Sequence, residues 1–229
     1  MGKRLISQRR GKGSIHKAPS HRYKSDAKYP RSSPLSGKVM DLVHDPGHTA
    51  VLALVSWDGG VKSHILASEG LRVGDKIENS GKPGDVMELG SIPDGSPIFN
   101  IELRRGDGGT LARGAGANAT MVSHDRDWAM VRLPSGKLKR LKVDSRATVG
   151  IASGGGRGTK PFLKAGKKKI CVRSKARKFQ RVSGVAKNPV DHPHGGGAHQ
   201  HVGGAGSIAR GAPPGQKAGT IAPKRTGKR

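Results

Sequence analysis

Cysteine is almost absent from this chain, and Cys171 is its only one. That excludes an intramolecular disulfide and any CxxC pair for zinc or redox chemistry, and it fits a reducing compartment. Long apolar runs are missing as well. The longest, AVLALV over 50–55, is far short of the ~20 residues that cross a bilayer. The opening MGKRLISQRRGKG is charged but has no apolar stretch behind it, so no secretory signal is expected. Its composition suits a mitochondrial transit peptide, but its pattern is not that of an amphipathic helix. A soluble, cytosolic protein is the expectation. Aromatics number only seven, and of these Trp57, Phe99 and Trp128 lie in the middle of the chain, so its core must be mostly aliphatic. The two tryptophans are expected to be core or barrel-end plugs rather than base-stacking platforms.

Acid is the scarcest charge. Sixteen Asp and Glu face 43 Lys and Arg, for a net charge of +27 over 229 residues. Residues 1–36 contribute +9, residues 37–159 only +2, and residues 160–229 +16. A nearly neutral body therefore carries two strongly basic extensions, and such an excess calls for a polyanionic partner. The extensions have too little apolar area to offset the entropy of ordering themselves, so they are expected to order on that partner.

The body reads as β structure. KVMDLVHD (38–45), TAVLALVSW (49–57) and VKSHILAS (61–68) predict a meander. MVSHD (121–125), WAMVRL (128–133) and KLKRLKVD (137–144) predict a second one, with a breakpoint near GKPGD at 81–85. Short, evenly spaced strands with Gly, Pro and Asp between them suggest one or two small barrels. No helical periodicity extends over ten residues.

Nucleotide-loop patterns are weak. GGGRGTK (154–160) has neither the spacing nor the hydroxyl of a phosphate loop. GAGANA (114–119) precedes a strand rather than a helix, so both read as tight loops. The unusual stretch is KNPVDHPHGGGAHQHVGG, 187–204, with four histidines, five glycines and one aspartate in eighteen positions. A metal site could use His192, His194, His199 and His201, but glycines give the rings no scaffold and a polyanion would favour imidazolium. A catalytic pair of Asp191 and His192 requires neighbours that meet, whereas Pro193 biases His192 toward extended geometry and adjacent side chains then diverge. The third reading is an extended, proline-stiffened strap that offers histidines to phosphate or base edges. In it Gly195, Gly196 and Gly197 let the backbone approach RNA closely. Asp191, the only acid after residue 144, would then bind a metal ion, a base amino group or a neighbouring Lys or Arg.

GVAKNPVDHPHGGG (184–197) closely resembles the family of the universal second protein of the large ribosomal subunit, the ribosomal protein L-two family. The resemblance continues through LARGAGANA (111–119), RLPSGKLKRLKVDSRATVGIASGG (132–155) and KAGKKK (164–169), and AHQHVGG and IAPKRTGKR are similar to the archaeal and eukaryotic branch. It implies an all-β fold. Its parts would be a basic N-terminal extension (1–36), an OB-fold barrel (37–84), an SH3-like barrel (85–165) and a basic Gly-rich C-terminal extension (166–229). It also implies a non-enzymatic, cytoplasmic constituent of the large subunit. Large-subunit rRNA and neighbouring ribosomal proteins would be its direct partners, and tRNA and the small subunit indirect ones. Family members are associated with subunit joining, tRNA binding and the peptidyl-transferase region. Neither a membrane nor a small-molecule substrate is implied, and no cofactor beyond magnesium held through the RNA.

The family's implicated aspartate and histidine fall on Asp191 and His192, and an RNA-binding arginine falls on Arg113. RNA contact is further expected at Asn188, His194, Gly195, Gly196 and Gly197, at Lys167, Lys168 and Lys169, and at Arg9 and Arg10. Where bacterial relatives have an RNA-binding arginine, this chain has His48. Two readings from other classes stand beside this one. A DNA-architectural protein would prefer duplex DNA, although no recognition helix is evident; a metal-dependent enzyme would carry bound metal.

Overall fold

The computed structural model describes residues 3, 5, 17–31, 36–177 and 179–223. They divide into two compact units, one of residues 21–161 and one joining residues 1–20 to residues 162–229.

In the first unit, strands β1 (Gly37–Val43), β2 (Leu52–Trp57), β3 (Lys62–Leu66) and β4 (Lys76–Ile77) form an antiparallel sheet ordered β3-β2-β1-β4. A register shift between Val39 and Asp41 bulges β1, leaving Met40 outside the alternation and 47% exposed. Six further strands form the second sheet: β5 (Val86–Glu88), β6 (Pro97–Phe99), β7 (Ala119–His124), β8 (Trp128–Arg132), β9 (Leu138–Lys142) and β10 (Arg146–Val149), ordered β5-β10-β6-β7-β8-β9. The class is all-β, an OB-type barrel followed by an SH3-like barrel. The predicted runs correspond to β1, β2, β3, β7, β8 and β9. The other four strands are two to four residues long, too short to show a period.

Each sheet encloses an aliphatic core. Ile98, Ile101, Met121, Ala129 and Val131 fill the second, while Val39, Ala53, Val55, Trp57 and Ile65 fill the first. Trp57 is a core plug, 3% exposed, and its indole Nε1 donates to Ser63 Oγ at 2.7 Å. Trp128 is not one. In β8 the two-residue alternation gives Ala129 and Val131 to the core and turns Trp128 outward, 36% exposed, so the expectation of a buried plug is corrected there.

A third cluster, with Leu52, Leu66, Phe99 and Ala152, joins the two sheets. Residues 27–30 also pack into this unit. Ala27 pairs with His64 of β3, and Tyr29 is 4% exposed, its hydroxyl donating to Asn100 O at 2.9 Å. Pro30 O accepts from Arg146 Nη1 at 2.8 Å. Arg146 in turn forms a buried pair with Glu102, Nη2 to Oε1 at 2.8 Å and Nε to Oε2 at 3.1 Å.

In the second unit, helix α1 (Ala165–Arg173) buries none of its residues. Its nine residues are shorter than the ten over which a helical period was sought, and Ile170 lies 73% exposed with no apolar stripe around it. Strands β11 (Ser207–Ile208) and β12 (Thr220–Ile221) form a short parallel pair. Among the described residues of this unit only Leu5 and Ala218 are buried apolar side chains, as expected of a segment with so few to bury.

Candidate nucleic-acid interface

Residues 184–197 are wound into consecutive turns rather than extended. Asn188 O accepts from Asp191 N at 2.9 Å and His192 N at 3.1 Å, and His192 O accepts from Gly195 N at 2.9 Å. Gly196 N then closes the loop onto Lys187 O at 3.0 Å. The expectation of a straight strap is corrected. Asn188 and His192 each open a turn, and the fixed φ of the proline that follows suits its second position, so Pro189 and Pro193 set corners. The glycines, too, serve the segment's own packing. A Cβ on Gly195 would strike Lys187 O, one on Gly196 would come within 2.5 Å of Pro189 Cγ, and one on Gly197 within 3.0 Å of His201 Nε2. Gly196 and Gly197 also sit at φ +82° and +87°, where other residues are strained.

Asp191 and His192 face different partners. Asp191 Oδ1 receives Lys3 Nζ at 2.8 Å, while Lys3 N donates to Val190 O at 2.8 Å, so the loop is tied to the start of the chain. The Lys3 ammonium, which hydrogen-bonds the carboxylate, holds Asp191 below its ordinary pKa, with Lys187 adding to the effect. The His192 imidazole lies against Gly184, where any Cβ would overlap the ring. Its Nδ1 accepts from His194 N at 3.1 Å, and the two rings meet edge to face at 4.9 Å. Partial burial first, and then His194 and Lys187, lower the His192 pKa below its ordinary value. The neutral ring is therefore favoured in the free protein. Among the described residues no three His, Cys, Asp or Glu side chains gather as a metal-binding group.

Lys167, Lys168 and Lys169 follow one another on α1 and are all exposed. At about 100° per residue they fan around the helix instead of lining one face. Arg113 is half-buried and donates through Nη2 to Ala27 O at 2.7 Å, and its Nε has no hydrogen-bond partner among the described residues. Burial lowers the pKa of its guanidinium, against smaller opposing effects of Tyr29, Asp26 and Asp107. The surrounding loop is a close-packed one: Gly116 N donates to Ala152 O at 2.9 Å, and a Cβ on Gly116 would lie 2.5 Å from Gly155 Cα. Strand β7 follows this loop, as the reading of GAGANA required. Arg9 and Arg10 lie outside the described residues.

His48 is held by Asp45, whose carboxylate is fully buried and bonded to the His48 ring through Nδ1. Burial by itself would raise the Asp45 pKa, but donation from Lys24 N at 2.9 Å and from the His48 ring and backbone outweighs it, and the net shift is downward. This network was not foreseen. Its only trace in the sequence is the turn pattern DPGH, where a Cβ on Gly47 would lie 2.9 Å from Asp45 Oδ2.

The family model described as Ribosomal Proteins L2, RNA binding N-terminal domain, matches residues 3–79, and the model described as Ribosomal Proteins L2, C-terminal domain, matches residues 82–217. The large ribosomal subunit protein uL2 of Methanothermobacter thermautotrophicus is 50% identical over 240 aligned positions, covering all of both chains. Its counterpart in Natronomonas pharaonis is 48% identical, covering all of this chain and 97% of the relative. That of Methanocaldococcus jannaschii is 48% identical over the full length of both.

Proposed function

Because this chain belongs to the ribosomal protein L2 family, we propose that it is a non-catalytic, rRNA-binding constituent of the large ribosomal subunit in the cytoplasm. The observation that carries this reading is the division of charge: a body of +2 over residues 37–159 beside +16 over residues 160–229. A nearly neutral double barrel docks by shape, and the basic segments neutralise phosphates where RNA helices crowd together. Double-helical RNA hides its base edges in a deep groove, so phosphate and 2′-hydroxyl contacts dominate.

The boundaries proposed for these roles are 1–36, 37–84, 85–165 and 166–229. The RNA-binding set is Asn188, Asp191, His192, His194, Gly195, Gly196 and Gly197, with Arg113, Lys167, Lys168, Lys169, Arg9 and Arg10. Support for the 187–197 loop is its compact, glycine-packed backbone, which presents a fixed shape. Neighbouring ribosomal proteins would flank it, magnesium would enter through the RNA alone, and tRNA binding, subunit joining and the order of the peptidyl-transferase region would depend on it indirectly.

Titration of the full chain with a ribosomal RNA fragment at several salt concentrations tests this. Each neutralised phosphate adds about 0.7 to 0.9 to the slope of log affinity against log salt, so roughly six to ten contacts give a slope of about −4 to −9. A flat salt curve sinks the proposal.

A further inference from the structure

The outer side of the second barrel carries an open cleft of about 470 Å³ between the 103–105 loop and β8–β9, within the roughly 300–1,000 Å³ of small-ligand clefts. Arg104, Arg105, Lys139, Arg140 and Lys142 line it, together with Trp128 and one acid, Asp144. Resting on the RNA-binding reading above, we infer that this cleft holds a single unpaired nucleotide of RNA, its base stacked on Trp128 and Arg140 and its exocyclic amino group donated to Asp144.

Three features support this assignment. Trp128 is 36% exposed, and the Arg140 guanidinium lies 4.4 Å from its ring centroid. In the register of β8 and β9, Trp128 faces Lys142 and Met130 faces Arg140, so Arg140 reaches the indole diagonally. An indole and a guanidinium plane are both platforms for nucleobases. Asp144 lines the cleft, and its Oδ1 is enclosed with no hydrogen-bond partner among the described residues, so a rotation of the carboxylate brings that free acceptor to a base amino group. A carboxylate in a cationic, phosphate-facing cleft is unfavourable unless it accepts N–H groups, and cytosine, adenine and guanine offer an amino group where uracil does not. The rim is also preformed. Asp107 Oδ2 accepts from Leu103 N at 2.9 Å and Arg104 N at 3.3 Å, Arg105 pairs with Glu88 at 2.9 Å, and the neighbouring Glu102 is locked to Arg146. An acidic protein segment would satisfy the cations but would add a second carboxylate beside Asp144 and carries no flat base to stack on the indole, so RNA fits better.

The test uses the full chain and RNA tetranucleotides, which carry too few phosphates for the basic segments to hold them tightly once salt is raised. Trp57 is shielded in the core, so a base on Trp128 quenches that indole's emission selectively. Saturable quenching is expected with tetracytidylate and much less with tetrauridylate. Trp128→Leu should abolish the quenching and weaken tetracytidylate binding roughly 5- to 150-fold, the range for loss of one stacked base. Asp144→Asn should erase the preference for cytosine over uracil, with thermal melting of both variants as the control for folding. Tetranucleotide binding with unchanged wild-type emission, or quenching that survives Trp128→Leu, overturns the inference and leaves the RNA-binding reading standing. Quenching by an acidic peptide and by no RNA assigns the cleft to a protein partner and also overturns it. If no RNA of any length binds, the inference and the reading fall together.

Discussion

Replacing Glu102 by Gln should cost the body much of its stability. The carboxylate is fully buried and accepts four N–H groups: Gly108 N at 3.0 Å, and Arg146 N, Nε and Nη2 at 3.1, 3.1 and 2.8 Å. Gln keeps the volume but has one acceptor oxygen, and it turns an NH₂ toward donors. The Arg146 side chain, 3% exposed, then loses the buried negative charge of Glu102. Breaking a buried pair from one side costs about 3–5 kcal/mol, whereas replacing both members by apolar groups is often neutral. Urea unfolding of the full chain, followed by Trp57 emission, reads the loss directly. With a slope of about 1–3 kcal/mol per molar urea, the midpoint should fall by about 1 M or more, and the double variant Glu102→Leu, Arg146→Met should recover only part of that fall, because the buried Gly108 and Arg146 backbone N–H groups still lose their acceptor. The exposed Arg105–Glu88 pair should contribute at most about 1 kcal/mol. A Glu102→Gln variant within about 1 kcal/mol of wild type would refute the reasoning, because it would mean that the pair is solvated.

Two further outcomes depend on pH. The folded Asp45 carboxyl lies below its ordinary pKa, so its contribution to stability is present above about pH 4 and is lost as pH falls through the depressed folded value. Melting temperature measured from pH 6 to pH 3 should therefore fall less steeply in Asp45→Asn than in wild type, although the variant is less stable at pH 6. The His192 pKa is also lowered in the free chain. Its neutral ring favours the folded turn above about pH 6.5, and that contribution is lost below it. NMR titration should place the His192 midpoint below that of an unfolded peptide, and a shift to higher pH on adding rRNA is expected because phosphate charge favours the cation.

Strands β1, β2, β7, β8 and β9 were legible because burial alternates along at least part of each; β3, whose buried Ile65 and Leu66 are adjacent, was legible from its apolar run and the Asp58-Gly59-Gly60 turn before it. The strands β4, β5, β6 and β10 were not, since β10 is fully buried and shows no alternation, and β5 is only three residues long. Tyr29 lies in a segment whose composition is that of a basic extension, yet it packs in the core because partners 71 and 119 residues away, Asn100 and Thr148, meet its hydroxyl. Local patterning carries no such information. In the 187–197 segment the prolines were expected to hold an extended strap, and they set turn corners instead. The glycines, expected to let the backbone approach RNA, sit against Lys187 and Pro189 of that segment and against His201 just beyond it. Divergence of Asp191 and His192 was expected from extended geometry; the structure separates them by giving each another partner, Lys3 and Gly184. Trp128 shows the converse case: the alternation in WAMVR places it on the outer face with Ala129 and Val131 inward, which the expectation of a core or barrel-end plug did not use.

Crosslinking the full chain to RNA in living cells, followed by sequencing of the recovered fragments, tests the central claim most directly. An rRNA-binding constituent of the large subunit predicts fragments concentrated in a few regions of large-subunit rRNA, with crosslinked peptides from residues 160–229. Fragments spread over messenger RNA or DNA, or none above background, would contradict it.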